Sequence, residues 1–292
     1  MNKTKMEDLK TESKIFDYLS SEFVVKAFFK FTYETFICFV MEYMNGGDFG
    51  HLLKSEQYFE GKIAQFYISE LILAVEYLHS IGIVHKDLKP ENMLIDSTGH
   101  LKLTDFGLSD ITIETYKSNQ KEIYSFLEKK HHALNKILQI TGNLSNFSYK
   151  FDENEPKPTP SPYKCSKKSL RTTHKFRRFV GTPDYIAPEI ILGTDARGKG
   201  VDWWGIGVIL FEFLTGVPPF NDDTPDKIFE NIINLKIPWD DIEIGYEGNE
   251  MSPEAADLIK KLLVLDPEQR LGKNSVNEIK THNFFEGIFL IN

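Results

Sequence analysis

His85-Lys86-Asp87-Leu88-Lys89-Pro90-Glu91-Asn92, followed downstream by Asp105-Phe106-Gly107, is the stretch that decides the fold. Asp87 offers a carboxylate that can orient a hydroxyl and take its proton, and Lys89 offers a cation on the same short loop. Asn92 supplies a neutral oxygen and Asp105 a charged one, a pair suited to a hard Mg²⁺ ion. Gly107 lets the backbone turn sharply after the metal ligand. Moving the γ-phosphoryl group of ATP to a hydroxyl asks for these parts and few others.

In this order and spacing the residues resemble a eukaryotic protein kinase, whose catalytic loop reads H-R-D-x-x-x-x-N and whose metal loop reads D-F-G. Gly181-Thr182-Pro183-Asp184-Tyr185-Ile186-Ala187-Pro188-Glu189 resembles the end of the family's activation segment. Asp202-Trp203-Trp204-Gly205 resembles the start of its central buried helix, and Arg270 the arginine that pairs with Glu189. The resemblance implies an α+β, two-lobed fold with a large, mostly helical C-lobe. It implies ATP and Mg²⁺ as cofactors and protein substrates with Ser or Thr acceptors, because Lys89 in DLKPEN is the serine/threonine form of the loop. Asp87, Lys89, Asn92, Asp105 and Thr182 are then the catalytic set, with Asn92 and Asp105 on the metal. His85, Phe106, Glu189, Asp202 and Arg270 are structural.

The same resemblance places Met41 at the gatekeeper position and Glu42 and Met44 on the hinge that meets adenine. Leu94 forms the pocket floor, Thr104 precedes the metal loop, and Glu91 lies beside the nucleotide and the substrate. Asp48, Glu91 and Glu212 match acidic positions that favour basic residues upstream of the acceptor; solvated surface acids are the plain alternative for each. MEYMNGGD, GTPDYIAPE and DWWGIGV are similar to the AGC group. The insertion ending in RRFVGTPDY is most similar to the Greatwall branch and its fungal relatives, with NDR/LATS and MAST kinases the next candidates.

Composition sets the outer bounds. The 292 residues carry 34 Lys+Arg against 43 Asp+Glu, a net charge of −9, which argues against a general nucleic-acid binder. With 41% hydrophobic and 26% charged residues, wholesale disorder is excluded. Two cysteines, Cys38 and Cys165, give no disulfide framework and point to a reducing compartment. No apolar run reaches the ~18–20 residues of a membrane span, and the charged N-terminus has no signal-like core. A monomeric intracellular protein, cytoplasmic with a hint of nuclear access from its basic run, is expected.

Four stretches are expected: 1–44 as a partial N-lobe, 45–110 as the first part of the C-lobe, 111–176 as a largely disordered insertion, and 177–292 as the remaining C-lobe. Met6, Leu9, Ile15 and Phe16 read as an amphipathic helix carrying Glu12, which matches the family's helix glutamate. Phe23–Tyr33 and Thr35–Met44 read as a hairpin, and 61–80 as a long buried helix. Ile83–Asn92 reads as a compact polar loop, and Met93–Asp105 as two strands around a Ser-Thr-Gly turn. Ile123–Ile140 has an amphipathic pattern, and 157–178 holds eight basic residues and no acid, a solvated loop rather than a nucleic-acid site.

No glycine precedes Gly46, and no strand lysine stands upstream of Glu12. The family covers the phosphates with such a loop and pairs that glutamate with such a lysine. These residues are therefore expected to form a truncated N-lobe of one helix and two strands, an incomplete copy of a Ser/Thr kinase catalytic domain with weak or no phosphoryl transfer as written; the alternative is a pseudokinase or protein-binding scaffold. Lys86 stands where the family usually has arginine, which keeps the charge and loses the bidentate fork. Arg178 occupies the position where AGC kinases often carry a phosphorylatable threonine.

Overall fold

In the computed structural model, the described residues are Ile15, 19–33, 36–111, 183–194, 198–242, 244–245 and 251–288. The chain divides into two compact units, one of residues 1–119 with 179–292, the other of residues 120–178. The second unit lies outside the described residues, as do Glu12, Thr182 and the pattern at 123–140; the account below concerns the first. Of the opening amphipathic segment, Ile15 is helical and fully buried.

Helix α1 (Phe49–Glu56) starts where Asp48 accepts the N–H of His51 at 2.9 Å, an N-cap contact. Helix α2 spans Gly61–Ser80, and Ala64, Ile68, Leu71, Ile72, Val75 and Leu78 form its buried stripe. Helix α3 is Pro188–Leu192, and helix α4 runs Gly200–Thr215 with every residue from Val201 to Phe213 buried. It ends at Gly216 (φ 80°), where a side chain would lie 2.3 Å from the carbonyl oxygen of Gln57. Helices α5 (Pro225–Ile233) and α6 (Pro253–Leu262) each begin on a hydroxyl cap, Thr224 and Ser252, with proline at the first helical position. A short helix, α7, closes the series at Asn277–Lys280. Helix α4 packs against α2 on one side and α6 on another, so the core is helical and α4 is its centre. Among the described residues no helix is long and apolar enough to cross a membrane.

The strands are few and antiparallel. Strands β1 (Ala27–Tyr33) and β2 (Phe36–Met41) form the expected hairpin. It is shorter than the sequence pattern at both ends. Val24 instead bridges Leu103, and Val25 and Phe23 exchange backbone bonds with Leu103, which ties the hairpin to the centre of the molecule. One face of the pair is aromatic and open: Phe29, Phe31, Tyr33 and Phe36 are all more than half exposed.

The stretch expected as a polar loop is organised and largely buried. It opens with β3 (Ile83–Val84), which pairs with β6 (Asp110–Ile111), and closes with a 3-10 turn at Pro90–Asn92. Its polar groups are satisfied internally rather than by water. Strands β4 (Met93–Ile95) and β5 (Leu101–Leu103) form the second expected hairpin.

Candidate active site

The loop between β3 and β4 is held from below by one carboxylate. Asp202, in the first turn of α4, is 1% exposed. It accepts the backbone N–H of His85 at 2.9 Å, that of Lys86 at 2.8 Å, and His79 Nε2 at 2.7 Å. Burial alone would raise its pKa, yet the hydrogen bond and charge of His79, with the other donors, hold it below the usual carboxylate value. A buried charge is tolerable only with such a complete set of partners. Leu88 lies over Gly205 of α4, where an added Cβ would sit 3.2 Å from Leu88 Cβ, so the loop rests directly on the helix.

His85 is fully buried and burial drives its pKa down, so the imidazole is neutral. Nε2 faces the Thr104 carbonyl at 3.2 Å and so carries the hydrogen; Nδ1 accepts the N–H of Asp87 at 3.3 Å. The ring also packs against Phe106, with centroids 5.1 Å apart. One neutral histidine thus joins the catalytic loop to the metal loop.

Above this base three of the five predicted catalytic residues, Asp87, Lys89 and Asn92, converge. Lys89 Nζ donates to Asp87 Oδ2 at 2.8 Å, and Asn92 Nδ2 donates to the same oxygen at 3.0 Å and to the Asp87 carbonyl at 2.8 Å. Both donors load Oδ2, leaving Oδ1 for an incoming hydroxyl. With its amide nitrogen committed to Asp87, Asn92 keeps its side-chain Oδ1, distinct from its backbone carbonyl, for a cation. The N–H of Thr104 bonds the Asn92 carbonyl at 3.0 Å, so Asp105 follows one residue beyond that contact. Asp105 is exposed and adopts a left-handed φ of 63°, a strained conformation for a residue with a side chain. Its Oδ1 accepts the Gly107 N–H at 3.2 Å. Among the described residues no three His, Cys, Asp or Glu side chains form a metal cluster. Asn92 and Asp105 fit the other way of holding Mg²⁺, two protein oxygens completed by phosphates and water.

The expected nucleotide positions are also placed. Met41, Glu42, Met44, Leu94 and Thr104 are each half-buried. The Glu42 carboxylate accepts the Lys26 N–H at 2.7 Å and Lys102 Nζ at 2.8 Å, which fixes the turn after β2. Leu94 forms a bridge with Asp48, and Met44 contributes a carbonyl to the Gly47 turn.

The three acids proposed for substrate recognition do different local work. Asp48 caps α1 and takes both the N–H and the imidazole of His51. Burial works against its charge, but the His51 bonds lower its pKa. Asp48 and Glu91 flank Gly50, each within 3.1 Å of where a Cβ would stand. Glu212 is 9% exposed and accepts the Tyr185 hydroxyl at 2.7 Å. Sequence reasoning gave no role to Asp184, whose Oδ1 is buried without a partner. Burial, and then the charge of Glu91, raises the Asp184 pKa.

Burial, with the charges of Glu91 and Asp184 beside it, raises the Glu212 pKa from 4.5 to about 7. The folded state therefore holds a proton that the unfolded chain releases near pH 4.5. The stability this proton contributes is complete below that pH and is lost as pH rises to about 7. Glu212→Gln should flatten the decline in stability across that window, read from urea midpoints at several pH values; an unchanged slope would refute the assignment.

Glu189 and Arg270 meet as expected. Arg270 donates to both Glu189 oxygens, at 2.7 and 3.0 Å, and to the carbonyls of Gly200 and Val264. Its guanidinium also lies 5.2 Å from the Trp204 ring centre. His79 carried no sequence signal for its role, since its partner Asp202 is 123 residues away.

Comparison with known proteins agrees with this geometry. The family model for the protein kinase domain matches residues 1–132 and 165–285. "Probable serine/threonine protein kinase IRE4" of Arabidopsis thaliana is 42% identical over 288 residues, covering 99% of this chain and 24% of the relative. "Serine/threonine-protein kinase ppk18" of Schizosaccharomyces pombe is 38% identical, covering 92% and 24%. "Serine/threonine-protein kinase CBK1" of Pneumocystis carinii is 37% identical, covering 98% and 53%. The chain spans about a quarter of the length of the first two of these relatives. With the family model matching most of its residues, the chain belongs to the protein kinase domain family.

Proposed function

We propose that this chain carries the catalytic loop and metal loop of a serine/threonine protein kinase, transferring the γ-phosphoryl group of Mg-ATP to a protein hydroxyl. The observation that carries the reading is the convergence of Lys89 and Asn92 on one oxygen of Asp87. Asp87 orients the hydroxyl and takes its proton through the other oxygen. Lys89 balances negative charge as it develops on the transferred group. Asn92 and Asp105 would hold Mg²⁺, which supplies charge neutralisation at the phosphates when bound. Met41, Glu42, Met44 and Leu94 border the adenine, and Thr182 helps seat the acceptor.

The names of the relatives favour Ser/Thr over Tyr acceptors. The AGC-like motifs favour that group, with a likeness to the Greatwall branch, and two cysteines without a disulfide framework favour an intracellular location. Asp48, Glu91 and Glu212 favour substrates with basic residues upstream of the acceptor.

The test is Mg²⁺-dependent nucleotide binding by calorimetry. Asp105→Ala should abolish the Mg²⁺-dependent part; unchanged Mg-ATP affinity would refute the metal assignment.

A further inference from the structure

Lys86 stands between the histidine fixed by Asp202 and the catalytic Asp87, and it adopts a φ of 67°. A left-handed conformation is disfavoured for a side-chain-bearing residue, so something must hold it. Two contacts do. From inside, Asp202 takes the Lys86 N–H. From outside, Lys86 Nζ forms an ion pair with Asp110. The lysine side chain is 14% exposed and the aspartate 43%.

Asp110 is itself fixed. It pairs through its backbone with Val84 in the β3–β6 ladder. Its neighbour Ser109 donates to the His85 carbonyl at 3.0 Å. The ion pair therefore closes a ring: β3, the start of the catalytic loop, the Lys86 side chain, and β6 after the metal loop. This arrangement spends a carboxylate and an ammonium on one backbone torsion, directly before the residue whose placement the chemistry needs.

We propose that Asp110 is a positioning residue for phosphoryl transfer: through Lys86 Nζ it holds the Lys86 backbone in its left-handed conformation and so aims the Asp87 carboxylate. The inference rests on the kinase reading above. Without the outer contact, Lys86 relaxes toward negative φ and the peptide leading into Asp87 rotates. The Lys89 and Asn92 bonds to Oδ2 then no longer share one geometry. A displacement of this size costs transfer on the order of 10- to 100-fold, with little change in nucleotide affinity.

The experiment is a double-mutant cycle of Asp110→Asn and Lys86→Gly in the full-length protein, with turnover and KM for ATP measured separately. Asp110→Asn alone should lower turnover at least about tenfold with KM within about twofold. Glycine adopts positive φ freely, so in the Lys86→Gly background Asp110→Asn should change turnover by less than about twofold. An equal loss in both backgrounds, or no loss in the first, would overturn the proposal. Hydrogen exchange of the amides of His85–Leu88 gives a readout independent of catalysis. If the parent protein transfers no phosphate, the kinase reading fails. The pair is then judged by exchange, which Asp110→Asn should accelerate about tenfold; unchanged exchange would overturn the pair as well.

Discussion

Asp87→Asn is expected to lower phosphoryl transfer by on the order of 10²- to 10⁴-fold while leaving the fold intact. The substitution is isosteric and keeps an oxygen where Lys89 and Asn92 now donate. It removes the negative charge and the capacity to take a proton. The loop's backbone is anchored elsewhere, by Asp202 beneath it and by the Lys86–Asp110 pair, so the melting temperature should barely move. Kinetics in the full-length protein with a Ser/Thr peptide would decide the matter. A variant that kept more than about a tenth of the parental turnover would remove Asp87 from the proton path.

The largest effect on stability is expected from Arg270→Ala. The arginine is 1% exposed, and its removal strands a carboxylate at Glu189 that is 2% exposed, together with the carbonyls of Gly200 and Val264. Breaking one side of a buried pair costs about 3–5 kcal/mol, because the remaining charge has no solvent to return to. At about 2–4 °C per kcal/mol for a domain of this size, the melting temperature should fall by roughly 10 °C. Glu189→Gln should cost less, since its amide oxygen still accepts from the guanidinium. A fall under about 2 °C for Arg270→Ala would mean that the pair contributes little to the folded state.

Local pattern made much of this structure readable. The apolar positions of 61–80 repeat at helical spacing without interruption, and α2 has those same bounds. Ser252-Pro253 is a cap followed by the one residue that loses nothing by lacking an N–H, and α6 begins there. Asp87, Lys89 and Asn92 share one loop, so their convergence could be anticipated from spacing. What escaped was decided by partners distant in sequence. His79 is one more polar residue at a helix end until Asp202 arrives from 123 positions away. Ile83–Val84 is too short to read as a strand, and only its pairing with Asp110–Ile111 makes it one. Asp184 lay inside a quoted motif, yet its buried and unpartnered oxygen depends on the neighbouring acids rather than on local pattern.

The burial of α4 on all sides has a consequence for how such a molecule fails. The helix that fills the centre of the core also presents, in its first turn, the carboxylate that holds the catalytic loop. That attachment is part of the core, because Asp202 and Leu88 are seated on the same buried surface. Loss of chemistry on heating should coincide with global melting, in one cooperative event rather than a gradual decline. Inactivation at elevated temperature would then report unfolding itself.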